Sequence, residues 1–221
     1  MGSFQKKQLL SSGLHDNIYD IMQLKRDGGV KMHHFFAYLS KMKQIRRWSL
    51  MRNTQEENVK EHSFDVALIA HGLALIANTY FEGKYNPEEV LALGLLHEAG
   101  EVITGDLPTP IKYFNPEIRR AYDQVEQVAL RKIHGMLPEE LQPHYAPYLF
   151  HEGNSAYSLV KAADKLCAYI KCLEEVKGGN QEFQKAREKI RGELEQFAEP
   201  EVQYFIREFL PSYELALDEL N

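Results

Sequence analysis

The chain has 221 residues, of which 44% are hydrophobic and 26% charged, enough for one sizeable domain but cramped for two. Its net charge of −6, with no basic tract, excludes a surface that coats a nucleic-acid polymer, yet leaves room for a local positive pocket and a small anionic substrate. No apolar run approaches the roughly 20 residues of a spanning helix, the start lacks a basic stretch followed by an apolar core, and Cys167 and Cys172 fit reduced thiols, so no membrane partner and a cytoplasmic location are expected.

The pattern reads as helix almost throughout. Residues 1–31 differ in character from the rest: Ile18, Ile21, Met22 and Leu24 predict a short amphipathic helix, closed by Asp27-Gly28-Gly29, in an N-terminal extension. Phe35, Phe36, Leu39, Met42 and Ile45 keep close to helical period. From Ser63 to Ile76 the chain is apolar on most sides, as a central buried helix would be. Asn86-Pro87-Glu88-Glu89 is a helix start with Asn as cap, Pro in the first position and acids in the first turn. That helix is expected to carry Leu91, Leu93 and Leu96 into His97, with Glu101 projecting from the same face and Gly105 stopping it or its short continuation. Asn115-Pro116-Glu117 repeats the start signal for a helix ending before Gly135. Pro138 and Pro143 break the next stretch, Ser158–Val176 is another strong helix ended by Gly178-Gly179, and Asn180, Pro200 and Pro211 precede shorter ones. No segment shows sustained period-2 alternation, so the expected fold class is all-α: one helical bundle with a site between central helices.

The chemistry concentrates in Leu96-His97-Glu98-Ala99-Gly100-Glu101, running into Thr104-Gly105-Asp106-Leu107-Pro108-Thr109-Pro110. His62 lies upstream in Glu61-His62-Ser63, and Asp164 downstream in Ala163-Asp164-Lys165. Separated histidines and carboxylates of this kind point to one divalent transition metal, because imidazole suits Mn, Co, Ni, Zn or Fe. Arg47 and Trp48 are candidates for substrate: a planar guanidinium fork matches phosphate, and an indole offers a flat wall to sugar or base. Arg46 and Lys112 are weaker candidates for the same positive pocket, and His33-His34 reads as a solvated pair.

The order His62, His97-Glu98, Asp164 resembles the H…HD…D pattern of HD-domain phosphohydrolases. More specifically, Arg47-Trp48-Ser49-Leu50-Met51-Arg52-Asn53 and Thr104-Gly105-Asp106-Leu107-Pro108-Thr109-Pro110-Ile111-Lys112-Tyr113-Phe114-Asn115 resemble the YfbR-type 5′-deoxynucleotidases. The resemblance covers residues 32–221, taken as one HD-type domain. It implies an all-helical homodimer that removes the 5′-phosphate from deoxyribonucleoside monophosphates with a divalent ion such as Co or Mn. It makes His62, His97, Glu98 and Asp164 the metal ligands and Glu101 the group that positions or deprotonates the attacking water. Asp106 serves the leaving 5′-oxygen as acid or orients the water on the opposite side, Arg47 and Trp48 grip phosphate and sugar, and Glu152 is a substrate contact. One position departs from the pattern: Glu98 stands where aspartate is expected. Near a metal a displacement of about 1 Å can cost on the order of a hundredfold in rate. The rival reading is therefore a catalytically weakened HD-fold module that binds a nucleotide or a partner.

Overall fold

The computed structural model describes residues 31–220. The chain divides between His33 and His34, and the helices among the described residues all belong to the second unit. The helix expected at Ile18–Leu24 lies outside the described residues.

Among the described residues the architecture is helical, with one isolated antiparallel bridge between Arg46 and Asn58. Helix α1 (Phe35–Leu39) is short and passes at once into a 3-10 segment, Ser40–Gln44, so the single helix expected over Phe35–Ile45 is two pieces. Helix α2 (Val59–Tyr80) begins earlier than its apolar run suggests. The Asn58 side chain accepts from the backbone N–H of Lys60 and Glu61 at 3.0 Å, and Glu61 reaches back to the Asn58 N–H, a capping box that precedes Ser63 by a full turn. Helix α3 (Pro87–Leu96) starts as expected, with Asn86 capping Glu88 and Glu89.

Next come two one-turn helices, α4 (Glu101–Thr104) and α5 (Thr109–Lys112). Helix α6 (Pro116–His134) is capped by Asn115, whose side chain accepts from the Ile118 N–H at 2.7 Å. Helix α7 (Gln142–Leu149) leads to α8 (Tyr157–Lys177), which closes at Gly178-Gly179, the latter at φ 89°, where glycine is the natural occupant. Asn180 opens a 3-10 turn, Gln181–Phe183, before α9 (Gln184–Leu194) and α10 (Pro200–Glu208).

Helix α2 is the hub, packed against α3, α8 and α10. Val66, Ala70 and Leu73 of α2, Val90 and Leu93 of α3, and Leu159, Leu166 and Leu173 of α8 are all buried in one cluster. Each large aliphatic side chain so buried stabilises the fold by about 1.5–3 kcal/mol relative to exposure. The α2–α3 approach is close: a Cβ on Gly94 would stand 2.6 Å from the Ala67 Cα, so only glycine fits. Unlike a fully buried central helix, α2 leaves Phe64, Leu68 and Leu75 exposed among the described residues.

Candidate active site

Three helices and one irregular segment meet at the site. His62 sits in the first turn of α2, Asp164 two turns into α8, and His97 caps the C-terminus of α3. Helix α3 ends at Leu96, and residues 97–100 are a turn before α4 opens at Glu101. The expectation that His97 and Glu101 share one continuous helix face is therefore wrong. The turn brings both groups into the pocket instead, with Ala99 and Gly100 buried beneath it.

One ligand atom from each of His62, His97 and Asp164 lies within 4.8 Å of the other two. His62 Nε2 is 3.0 Å from Asp164 Oδ1, and the two imidazole rings are 5.4 Å apart. His97 Nδ1 is 2.7 Å from the Gly94 carbonyl, which fixes it as the N–H and turns the Nε2 lone pair inward. Burial lowers the His97 pKa against the pull of Glu98, so its ring is neutral at neutral pH. Burial opposes the charge on Asp164, but His62, His97 and Arg47 outweigh it and hold that carboxyl well below the usual range. Both imidazole Nε2 atoms are buried without a hydrogen-bond partner. Orphaned buried acceptors of this kind are costly unless something satisfies them. Two imidazoles and an ionised carboxylate converging on one point make a donor set that fits a divalent transition metal.

Glu98 is not one of the three mutually close ligands. Its Oε1 lies 3.5 Å from His97 Nε2 and 3.9 Å from Arg47 Nη1, beside the cluster and between it and the guanidinium. Glu101 is buried, with Oε2 lacking a hydrogen-bond partner. Burial, then the nearby Glu98 and Asp106 carboxylates, push its pKa up to about 10. Asp106 is also raised by burial, tempered by Arg47. Lys112 lies 4.8 Å over the Tyr122 ring, and Glu126 and Glu98 keep it charged despite its burial.

Arg47 arrives by way of the Arg46–Asn58 bridge. The Arg47 N–H donates to the Glu57 carbonyl at 3.0 Å, and the Val59 N–H to that of Ile45 at 2.9 Å. The pleat sends neighbours to opposite sides. Arg46 therefore points outward, exposed and paired with Glu56 at 2.7 Å, which removes it from the pocket. Arg47 and Glu57 turn inward, each less than a sixth exposed. Trp48 packs at 5.3 Å from Phe183 and donates its indole N–H to Glu57 Oε2 at 3.0 Å.

Glu152 is exposed in the turn ahead of α8, and no contact among the described residues ties it to the cluster. Two features escaped the sequence reading. Glu57 touches three site residues. The Tyr157 ring stacks on His151 with centroids 3.4 Å apart, and burial followed by the Glu98 and Asp164 charges raises its hydroxyl pKa. Tyr157 precedes Asp164 by two helical turns, the spacing that shares a face and the signal that would have found it.

A family model described as "5′-deoxynucleotidase YfbR-like" matches residues 34–213. The chain belongs to this YfbR-like family. A 5′-deoxynucleotidase of Vibrio atlanticus is 48% identical over 194 residues, covering 87% of this chain and 100% of the relative. One from Cronobacter sakazakii is 51% identical over 190 residues, covering 85% and 96%. An HD-domain phosphohydrolase from Listeria innocua has the same fold, with a TM-score of 0.72 at 24% identity over 81% of this chain and 88% of the other. Both YfbR-like motifs, at 47–53 and 104–115, fall inside the matched span, as does the departure at Glu98.

Proposed function

We propose that this chain is a metal-dependent phosphomonoesterase that hydrolyses deoxyribonucleoside 5′-monophosphates to deoxynucleoside and phosphate. The observation that carries the reading is the pair of buried, unpartnered imidazole Nε2 atoms converging with Asp164 beside an inward-turned arginine. His62, His97 and Asp164 would hold the ion, with Glu98 as the fourth ligand after a small side-chain movement. A bound divalent ion lowers the pKa of its water and neutralises phosphoryl oxygen charge.

The chain's own residues do the rest. The terminal nitrogens of Arg47 and the ammonium of Lys112 take the phosphate charge. Glu101 orients the attacking water and accepts its proton, and a neighbouring cation favours the ionised form that this requires. Asp106, raised by burial, is suited to hold a proton for the leaving 5′-oxygen. Trp48 walls the sugar. Glu152 is assigned to the rim. Retention of Arg47, Trp48, Glu101 and Asp106 around the histidines disfavours the weakened-module reading, since a decayed site would lose several of them.

The exposed stripe Phe64, Leu68 and Leu75 along α2 supports a homodimer as part of the same proposal. Buried free thiols at Cys167 and Cys172 fit a reducing, cytoplasmic setting. The deciding experiment is phosphate release from a panel of ribo- and deoxyribonucleoside monophosphates with Mn, Co, Zn and Mg. Release from deoxy substrates with a transition metal is expected; none from any nucleotide would defeat the reading.

A further inference from the structure

Glu57 Oε2 accepts from Arg47 Nε at 3.1 Å and from Trp48 Nε1 at 3.0 Å, while Oε1 faces His62 Nδ1 at 3.8 Å. One carboxylate thus addresses a guanidinium, an indole and an imidazole, and each contact has a distinct consequence. Taking the Arg47 Nε leaves the terminal nitrogens without a hydrogen bond among the described residues, with Nη1 3.9 Å from Glu98 Oε1. Fixing the indole edge, with Phe183 behind, sets the plane of Trp48, whose backbone is held at φ 56° in the left-handed region. Asp164 Oδ1, 3.0 Å from Nε2, pulls the His62 proton away from Nδ1, so the negative charge on the Nδ1 side would set the Nδ1–H tautomer once a cation occupies the cluster and takes the Nε2 lone pair. The Gly94 carbonyl gives His97 the same orientation by a different acceptor.

The support beneath Glu57 is itself built. Buried Glu175 of α8 accepts from the Thr54 N–H and hydroxyl and from the Gln55 N–H, and Lys171 donates to the Gln55 carbonyl and to Glu175. The segment leading to Glu57 is therefore tied to the helix that carries Asp164.

We propose that Glu57 is the positioning residue of this site, setting the Arg47 guanidinium, the Trp48 indole and the His62 tautomer together. The roles of Arg47 and Trp48 rest on the phosphomonoesterase reading; the contacts do not.

The test uses the full chain, stripped of metal and titrated with Co2+, and the emission of Trp48, the chain's one tryptophan. In Glu57→Gln the amide carbonyl keeps the two donors Arg47 and Trp48, which turns the NH2 toward His62 Nδ1. That favours the tautomer with Nε2–H and blocks the ligand lone pair. Co2+ affinity should fall by about ten- to a hundredfold while Trp48 emission stays near wild type. In Glu57→Ala the indole N–H is freed, and both emission and affinity should change. Glu56→Gln, the exposed neighbour, should change neither. Wild-type Co2+ affinity in Glu57→Gln overturns the proposal, as does wild-type emission in Glu57→Ala. If Glu57→Ala fails to fold, the Gln variant alone still decides through affinity. Neither readout needs turnover, so they judge Glu57 even where a lack of phosphate release from wild type defeats the proposed function.

Discussion

His62 Nε2 stands 3.0 Å from Asp164 Oδ1 across the α2–α8 interface, a histidine and a carboxylate a hundred residues apart in the chain pressed together without a well-aligned hydrogen bond. The contact joins the central helix to α8 at the point where His97 also arrives. Metal-stripped protein is expected to be inactive, and Mn, Co or Zn should restore it better than Mg, because two imidazoles suit borderline ions and Mg prefers oxygen. Phosphate release before and after chelation measures this; undiminished activity in chelator would remove the metal from the mechanism.

Glu98 supplies the second prediction. Its Oε1 sits 3.5 Å from His97 Nε2 and 3.9 Å from Arg47 Nη1, outside the mutually close set. Glu98→Asp shortens the side chain, loosens the Arg47 contact and should raise metal affinity or turnover without loss of fold. Calorimetric metal titration and kcat together check it. A variant that binds no metal while wild type is fully active would mean the turn at 97–100 has adapted to glutamate.

The helix starts at Asn86 and Asn115 were legible because cap, proline and acid are local signals that tertiary packing did not override. Of the four expected ligands, His62, His97 and Asp164 come together and Glu98 stands beside them; His97 was singled out because such a group rarely ends an apolar helix without use. Helix α2 was begun too late because its capping box, Asn58 to Glu61, lies outside the apolar run. The break at His97 went unseen because nothing in Leu96-His97-Glu98 forbids helix; buried Ala99 and Gly100 and the inward His97 ring accompany the turn. Glu57 was invisible for another reason. Its partners are set by a two-residue bridge in an irregular segment, where neither period 3.6 nor a sustained period 2 applies.

Glu101 predicts opposite signs for activity and stability. Burial and two neighbouring carboxylates raise its pKa to about 10, so at neutral pH the folded metal-free protein holds a proton that the unfolded chain has released. Stability of the metal-free protein therefore falls as pH rises above the ordinary carboxylate range of about 4.3. Glu101→Gln removes that proton demand and should raise the melting temperature of the stripped protein at pH 7. It should also lose turnover by roughly 10²–10⁴-fold, while metal content stays near wild type. Parallel loss of metal and rate would make Glu101 a ligand or its support.

Glu175 carries the opposite linkage. Burial penalises its charge, but Lys171, Thr54 and Asn180 more than compensate and hold its carboxyl well below the usual range. Its stabilisation is fully present above the unfolded pKa of about 4.3 and is lost as pH falls through the folded value. Glu175→Gln should destabilise by about 3–5 kcal/mol at pH 7, because it leaves the buried Lys171 ammonium without its countercharge, facing only the neutral Gln55 carbonyl and the new amide. Denaturant titrations from pH 7 downward should show the gap to wild type constant to about pH 5 and narrowing below the ordinary glutamate pKa of about 4.3. A gap that widens on acidification would contradict the assignment.

On the proposed function, Trp48 is expected to set the sugar preference. Deoxyribose has no 2′ hydroxyl to read, so preference for it must come from excluding that oxygen rather than bonding it. A wall can exclude only if it is stiff, and here the indole is fixed on one edge by Glu57 Oε2 at 3.0 Å and backed by Phe183 at 5.3 Å. An apolar pocket rejects an added hydroxyl by only about 10²-fold; a braced ring can exceed this. Trp48→Ala should narrow the gap in kcat/KM between a deoxyribo- and a ribonucleoside monophosphate, chiefly by admitting the ribo substrate. Arg47→Ala should weaken both alike, because both carry the same phosphate. An unchanged deoxy-to-ribo ratio in Trp48→Ala would return Trp48 to a packing role against Phe183 and move the discrimination to another wall of the pocket.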